Sequence, residues 1–192
     1  MEQLINQIKN CTECKTKLPH GCNPILQFNS NSKIVIIGQA PGRKVHESSI
    51  PWNDQSGDNL RTWLNVTKEQ FYDPNLFALL PMGFCYPGKG KSGDLPPLKI
   101  CAELWQDKVY AELKSVELII LVGKYAQDYY LKSEIKMNLT VRVQDYKSYL
   151  PKYFVLPHPS PRNNIWQAKN EWFKHLILPE LKNWTSSILL QK

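Results

Sequence analysis

The sequence lacks an apolar run long enough to cross a lipid bilayer, and its first residues lack the apolar core of a signal peptide. These absences predict a soluble, cytoplasmic protein with no membrane partner. The five cysteines are an odd number, which argues against a disulfide framework, and a cytoplasmic chain keeps its thiols reduced. The cysteines are therefore candidate ligands of a metal ion or cluster.

Acidic residues are scarce relative to basic ones. Asp and Glu together number 17 against 24 Lys and Arg, so the formal net charge is +7. This excess favours a polyanionic partner, although a basic soluble domain without such a partner has the same composition. The length of 192 residues suits one domain with a proper core, and we expect a single domain over residues 1–192.

Four apolar runs predict the strands of a mainly parallel sheet, because strands covered on both faces are continuously apolar rather than alternating. The runs are residues 34–37, 76–80, 117–123 and 153–156, and residues 139–143 are a possible further strand. Amphipathic segments predict helices between them, and the last helix has a broad predicted apolar face that includes Ile165 and Leu176. The expected fold class is α/β, a single three-layer αβα domain around a central four-stranded sheet.

The loop after the first run is the most informative stretch. Residues 38–42 read Gly-Gln-Ala-Pro-Gly, a composition that turns the backbone sharply and leaves main-chain amides open to a ligand. In open α/β sheets, ligands bind at this carboxyl end of the strands. We expect the next helix to begin within residues 56–58, where Ser56 and Asp58 can cap its free amides.

The cysteines fall into two groups along the chain. Cys11 and Cys14 are separated by two residues, a spacing that directs both sulfurs to one side of a turn. Cys85 and Cys101 flank the long loop after the second predicted strand, and Cys22 lies between the two groups. Four thiolates suit an iron-sulfur cluster or a zinc ion, and four unrelated buried cysteines are the remaining alternative.

Two segments, the loop after the first predicted strand and the loop after the fourth, resemble motifs of the uracil-DNA glycosylase superfamily. Residues 38–42, followed by Pro-Trp and Ser-Gly, are similar to its first motif, in which a Gly-x-Ala-Pro-Gly loop precedes Pro-Phe and a helix-opening glycine. The fourth strand runs into His158-Pro159-Ser160, which is similar to the second motif, and Arg162 follows it as in many members. The resemblance covers residues 11–178.

This resemblance implies a DNA glycosylase that hydrolyses the N-glycosidic bond of uracil or another deaminated base in DNA, the first step of base excision repair. Asp54 matches a catalytic aspartate of family 5, His158 is a donor to the departing base, and Glu47 is a reserve carboxylate. Asp58 is interpreted as a helix cap, with a catalytic role as the alternative. The expected base-binding residues are Gly38, Gln39, Ala40 and Trp52, with Trp52 as the stacking platform or, alternatively, a core or rim tryptophan.

Charge and position suggest the DNA contacts. They are Lys89, Lys91, Lys124, Ser160 and Arg162, although ordinary solvation explains the three lysines equally well. None of the lysines is placed as a Schiff-base nucleophile, so the expected enzyme is monofunctional. We expect a monomer whose partner is DNA containing a deaminated base, with nucleoid-associated activity in a bacterium.

The resemblance also implies the cofactor. In families 4 and 5, an N-terminal Cys-x-x-Cys pair and two later cysteines hold a 4Fe-4S cluster, and Cys11, Cys14, Cys85 and Cys101 take those places here. Zinc is the alternative occupant. Cys22 has no place in that pattern and is interpreted as a bystander thiol that could substitute for a neighbour.

Two positions depart from the family 4 pattern. Gln39 stands where family 4 has a glutamate, and Pro81 stands where family 4 has an asparagine that reads the uracil edge. A proline side chain offers no amide for that purpose, so base selectivity should be broader than for uracil alone. The alternatives are a catalytically weak or inactive DNA-binding member of the same fold, and a nucleotide-processing or RNA-processing hydrolase.

Overall fold

A four-stranded parallel sheet forms the centre of the protein in the computed structural model, which describes residues 1–132 and 137–190. The strands are β1 (Ile34–Gly38), β2 (Phe77–Pro81), β3 (Lys89–Gly90), β4 (Gly93–Asp94), β5 (Leu118–Val122) and β6 (Tyr153–Leu156). The sheet order is β2-β1-β5-β6, with every neighbouring pair parallel, while β3 and β4 form a separate antiparallel hairpin. All four carboxyl ends therefore lie along one edge of the sheet.

Helices flank this sheet. They are α1 (Glu2–Lys9), α2 (Arg43–Ser48), α3 (Gln55–Leu64), α4 (Lys68–Phe71), α5 (Lys99–Glu112), α6 (Lys124–Leu131), α7 (Leu139–Gln144), α8 (Asn164–Lys169) and α9 (Leu178–Leu190). This arrangement confirms the predicted α/β fold with a central parallel sheet. No helix within residues 1–132 or 137–190 is long and apolar enough to span a membrane.

The strands carry the core. Every residue of β1 and β5 is buried, and the aromatic side chains of Phe77 and Phe154 are fully enclosed beside them. Each fully buried large apolar side chain stabilises the fold by about 1.5–3 kcal/mol relative to an exposed one. The chain passes from β1 to β2 on one side and later to β5 on the other, so the sheet has its topological switch point between β1 and β5.

The possible strand at residues 139–143 is a wrong prediction, because this segment forms helix α7. Asn138 starts the helix, since its side-chain oxygen accepts a hydrogen bond from the backbone N–H of Val141 at 2.9 Å. Arg142 in this helix is buried and forms an ion pair with Asp128 at 2.5 Å. A side-chain cap and a partly buried ion pair thus outweigh the β propensity of the two valines.

Two helix predictions also need correction. Helix α3 begins at Gln55 rather than within residues 56–58, and Asp54 is its N-cap, so the cap was predicted at the wrong residue. Asp58 lies in the first turn and pairs with Arg61 at 2.5 Å.

The predicted last helix is broken into three pieces. Helix α8 ends before Asn170, a wider π-helical turn occupies Phe173–Ile177, and α9 follows. Ile165 and Leu176 are 71% and 62% exposed, so they do not belong to the apolar face assigned to them.

Candidate active site

A cavity of about 370 Å³ opens at the carboxyl edge of the sheet. Its wall comprises the loop after β1, Pro81 at the end of β2, the β3–β4 hairpin and the loop after β6. The side-chain amide of Asn59 on α3 donates a hydrogen bond to the carbonyl of Pro159 at 2.8 Å. This contact between residues 100 positions apart joins the helix that follows the first loop to the last loop.

Trp52 lies against the end of β1. A β-carbon added to Gly38 would lie 2.8 Å from Cζ2 of the Trp52 indole, so only glycine allows the ring to approach the strand this closely. The ring centroids of Trp52 and His158 are 6.0 Å apart with an interplanar angle of 30°, and both side chains line the cavity. The structure therefore brings one flat aromatic surface and one imidazole to the same space.

The backbone of Trp52 is held in an unusual conformation. Its φ is 56°, in the left-handed region that non-glycine residues rarely adopt. The guanidinium of Arg61 donates to the Trp52 carbonyl at 3.4 Å, and the Tyr72 hydroxyl donates to the neighbouring carbonyl of Pro51 at 2.9 Å. A β-carbon on Gly57 would lie only 1.8 Å from the Trp52 carbonyl oxygen. These contacts hold a strained residue at the cavity wall, which is where such strain commonly serves function.

Asp54 is both a helix cap and a cavity residue. Its Oδ1 accepts a hydrogen bond from the backbone N–H of Gly57 at 2.9 Å, at the N-terminus of α3. The free amides and the dipole of the helix favour a negative charge here. The cap thereby fixes the carboxylate while the side chain still lines the cavity.

His158 follows β6 in a half-buried position. The side-chain amide of Asn163 donates to its carbonyl at 2.6 Å, which fixes the backbone of the loop. Burial lowers the pKa of the imidazole from its ordinary value, while the nearby carboxylates of Asp54 and Asp94 act in the opposite direction. His158 is therefore neutral at neutral pH, and a neutral imidazole can donate a hydrogen bond from one ring nitrogen.

Asp94 also lines the cavity, and sequence reasoning missed it. It lies on β4, opposite Lys89 of β3, in a segment predicted only as a loop. The two-residue turn between these short strands, with glycines on either side, was the available signal for a hairpin. Arg162 donates from Nη1 to the Ser92 carbonyl at 3.1 Å and so connects the hairpin to the loop after β6.

The other predicted site residues divide into two sets. Gly38, Gln39, Ala40, Lys89, Ser160 and Arg162 line the cavity together with Trp52, Asp54 and His158. Glu47, Lys91 and Lys124 are not among the lining residues. Glu47 is exposed on α2 and pairs with Arg43 at 2.8 Å, and Lys124 pairs with Asp128 on α6.

A comparison with known protein families decides what kind of domain surrounds this cavity. The family model described as the Uracil DNA glycosylase superfamily matches residues 26–182. The chain belongs to this superfamily. Members of the uracil DNA glycosylase superfamily are generally hydrolytic glycosylases that act on DNA, so the domain is of a DNA glycosylase type.

Two positions of this uracil DNA glycosylase superfamily domain bear on base selection. Gln39 donates from its side-chain amide to the Leu95 carbonyl at 3.4 Å, which joins the loop after β1 to the hairpin. Pro81 lines the cavity, and its carbonyl is occupied by a hydrogen bond from the buried side chain of Gln106 at 2.8 Å. The Pro81 side chain therefore offers no amide with which to read a base edge as an asparagine would.

A second, much smaller cavity of about 20 Å³ brings all five cysteines to one place. Its other walls are mainly apolar and come from α1, the segment after β2 and α5. The backbone N–H of Phe84 points to the Cys101 sulfur at 3.3 Å. Burial is the main cause that raises the pKa of Cys85 to about 12 and that of Cys101 to about 11.

The residues of the cysteine cavity are of the types that bind a metal ion or cluster through thiolates. Soft sulfur donors from two distant chain segments converge in apolar surroundings, and N–H groups directed at sulfur are typical of iron-sulfur sites. In residues 1–132 and 137–190, however, no group of three or more His, Cys, Asp or Glu side chains is arranged to hold a metal ion as it stands. The presence of a bound metal or cluster, and its identity, stay predictions.

Proposed function

We propose that this protein is a monomeric, monofunctional DNA glycosylase that removes uracil or another deaminated base from DNA and so begins base excision repair. One observation carries the proposal: Trp52, Asp54 and His158 line a single cavity within a uracil DNA glycosylase superfamily domain. These three side chains supply a stacking surface, an anion and a hydrogen-bond donor. Removal of a flipped base requires all three kinds of group.

The cavity suits a base taken out of the duplex. Flipping costs a few kcal/mol, which stacking and hydrogen bonds in the pocket offset. A volume of about 370 Å³ lies within the range of pockets that enclose small molecules. The Trp52 indole supplies the stacking surface, and the strained backbone that carries it fixes its position before the base arrives.

The reaction assigns distinct parts to the charged and polar groups. The bond between C1′ of deoxyribose and the base nitrogen breaks, its electron pair leaves with the base, and the sugar becomes cationic. Asp54 stabilises this cation and accepts a proton from the water whose oxygen bonds to C1′. His158 donates a hydrogen bond to the anionic base, which then takes a proton from solvent. The products are the free base and an abasic sugar.

The wall of the cavity favours several bases over strict uracil selection. Pro81 offers no side-chain amide, and the amide nitrogen of Gln39 is engaged with the Leu95 carbonyl. Selectivity then depends on the oxygen and the second N–H of the Gln39 side chain and on backbone amides of residues 38–42. A site that leaves few unpaired polar groups when the wrong base binds discriminates weakly.

Positive charge at the rim suits the DNA backbone. Lys89, Ser160 and Arg162 line the cavity mouth, where they can contact phosphates on either side of a flipped nucleotide. Lys91 and Lys124 lie outside the lining residues, and any contact they make is with more distant phosphates. Glu47, paired with Arg43, is proposed only as a reserve carboxylate.

We propose in addition that Cys11, Cys14, Cys85 and Cys101 hold a 4Fe-4S cluster, with zinc as the alternative. The support is the convergence of these thiols, together with Cys22, on one cavity that shares no lining residue with the base pocket. Such a group supplies structural ligation rather than chemistry at the base. Its protein ligands tie the N-terminal segment to the segment between β2 and α5.

A panel of oligonucleotides tests the function. Single-stranded and duplex substrates containing uracil, hypoxanthine or xanthine are incubated with the protein. Each reaction is then divided into two aliquots, one of which is treated with alkali. We expect abasic sites in at least one substrate and strand breaks only after alkali. Breaks without alkali that disappear in Lys89→Ala would contradict monofunctional chemistry, because Lys89 lines the cavity.

The main rival is a DNA-binding member without activity, which the Pro81 side chain at the base wall favours. Tight DNA binding with no base released from any substrate would support that rival. The Trp52→Ala variant sharpens the test, since loss of a stacking surface costs about 1–3 kcal/mol per base. We expect this variant to bind undamaged duplex normally while its base excision falls.

A further inference from the structure

Asp94 and Asp54 border the same small space in the cavity. A β-carbon built on Gly42 would lie 3.4 Å from Oδ2 of Asp94 and 3.9 Å from Oδ2 of Asp54. The two carboxylates therefore face one point above the Gly42 α-carbon, although they come from a hairpin and from a helix cap. Only the missing side chain of Gly42 leaves that point open to a ligand.

Asp94 is oriented from behind by a buried tyrosine. The hydroxyl of Tyr86 donates to Oδ1 of Asp94 at 3.3 Å, which leaves Oδ2 directed at the space above Gly42. Tyr86 is only 2% exposed and stacks on His20 with ring centroids 5.2 Å apart. A rigid, enclosed partner of this kind holds an exposed carboxylate in one orientation.

Both negative charges remain available to a ligand. In residues 1–132 and 137–190, neither Asp54 nor Asp94 forms an ion pair with a lysine, arginine or histidine. Each is instead satisfied by one neutral donor, the Gly57 amide or the Tyr86 hydroxyl. His158, which lines the same cavity, lies within the electrostatic reach of both carboxylates.

We propose that Asp94 is a second anionic catalytic residue, which contacts the deoxyribose beside Asp54 and stabilises the positive charge that develops there. Tyr86 is its positioning residue. The inference rests on the proposed glycosylase function and extends it, because the sequence predicted Asp54 with Glu47 as the reserve carboxylate and did not predict Asp94. Two anions fixed before the reaction stabilise a cationic transition state more than they stabilise the neutral substrate.

The first test measures binding rather than turnover. Duplex DNA carrying a protonated pyrrolidine abasic-site analogue is compared with duplex carrying the uncharged tetrahydrofuran analogue, by fluorescence anisotropy. We expect the wild-type protein to prefer the cationic analogue, and Asp94→Asn to lose about tenfold of that preference. Glu117→Gln is the matched control, because Glu117 is exposed immediately before β5, at the opposite edge of the sheet.

The outcomes separate the two proposals. If Asp54→Asn loses the preference while Asp94→Asn retains it in full, the role of Asp94 is overturned and the glycosylase proposal stands. If the wild-type protein shows no preference for the cationic analogue, the role of Asp94 is overturned, while the glycosylase proposal is decided separately by base release from the oligonucleotide panel. A loss in Asp94→Asn that Glu117→Gln does not share supports the inference.

Two further variants test geometry. Gly42→Ala places a methyl group between the carboxylates at ordinary contact distances, in a backbone conformation with φ of −80° that alanine adopts freely. We expect unchanged thermal stability and a base-excision rate reduced as much as in Asp94→Asn, about 10- to 100-fold. Tyr86→Phe should lower the rate less, and it should add nothing in the Asp94→Asn background. An additive loss in the double variant would overturn the positioning role of Tyr86.

Discussion

The two cavities of this protein differ in size, polarity and lining chemistry. The larger one is open, with charged and polar side chains supplied by loops at the carboxyl ends of the strands. The smaller one is mainly apolar and lined by thiols from segments beside α1 and α5. The first has the arrangement of a reaction site, in which fixed charges face a space that a substrate can enter. The second has the composition of a structural site, in which thiols and apolar side chains from separate segments of the chain pack together.

This contrast indicates that the groups proposed for catalysis and the groups proposed to stabilise the fold lie in different cavities. The carboxylates of Asp54 and Asp94 at the open cavity each accept a hydrogen bond from one neutral donor, so their charge remains available to a ligand. At the cysteine cavity, burial raises the pKa values of Cys85 and Cys101, so a cation that binds their thiolates would stabilise the folded state. Substitutions in one region should therefore leave the property of the other unchanged.

The largest expected effect follows from removing the anion at the open cavity. Asp54→Ala should lower the base-excision rate about 100- to 1,000-fold and, by removing the helix cap, cost about 1 kcal/mol of stability. Asp54→Asn should retain most of the cap and still lose the rate, because an amide oxygen can accept the Gly57 hydrogen bond without carrying charge. Single-turnover kinetics and urea unfolding measure the two effects. Equal rates in Asp54→Asn and wild type would remove Asp54 from the mechanism.

The second effect tests the cysteine cavity. Protein purified without oxygen should contain about four iron atoms per chain, and Cys85→Ser should lose them together with thermal stability. Cys22→Ser is the matched control and should keep its iron, since Cys22 lies outside the predicted ligand set. Stoichiometric zinc would replace the cluster in this account. If neither metal is present in wild type, the cysteines form an ordinary core region. Full retention of metal in the Asp54 variants would sharpen the contrast between the cavities.

The smallest expected effect concerns pH. Burial lowers the pKa of His158 in the folded protein, so its stabilising contribution is present above the ordinary histidine pKa of about 6.5 and is lost as pH falls through the folded value. The free energy of unfolding should therefore decrease as the pH falls from about 6.5 through the folded pKa of His158. This decrease should be smaller in His158→Gln. Urea titrations at several pH values measure this difference. Identical pH dependence in both proteins would contradict a buried neutral imidazole.

The strands and the loops that leave them could be predicted from the sequence, because their signals are local. A continuous apolar run ending in glycine specified β1, and the proline-flanked His158 marked the end of β6. Placement of Asp54 and His158 at one cavity followed from the rule that parallel strands end at one edge. The sequence also predicted Cys11 and Cys101 as ligands of one group; both line the second cavity, and their role as ligands stays a prediction.

The features that were missed depend on contacts between distant residues. The β3–β4 hairpin carries Asp94 into the cavity with Arg162 bound to the Ser92 carbonyl, a contact that no local pattern contains. The break after α8 likewise leaves Ile165 exposed, although its spacing fits an apolar helix face. The start of α3 was the exception. Its cap at Asp54 was readable, but the nearby Ser56 and Asp58 offered equally good local candidates.

The close contact between Gly57 and the Trp52 carbonyl restricts which residue a related protein can have at this position. Because the gap admits no side chain at position 57, the orientation of the indole and the residue five places later are coupled. A chain with a larger residue at the equivalent place must route this loop differently and present another surface to its ligand. Tryptophan at position 52 together with glycine at position 57 therefore distinguishes sequences that can form this pocket wall from those that cannot.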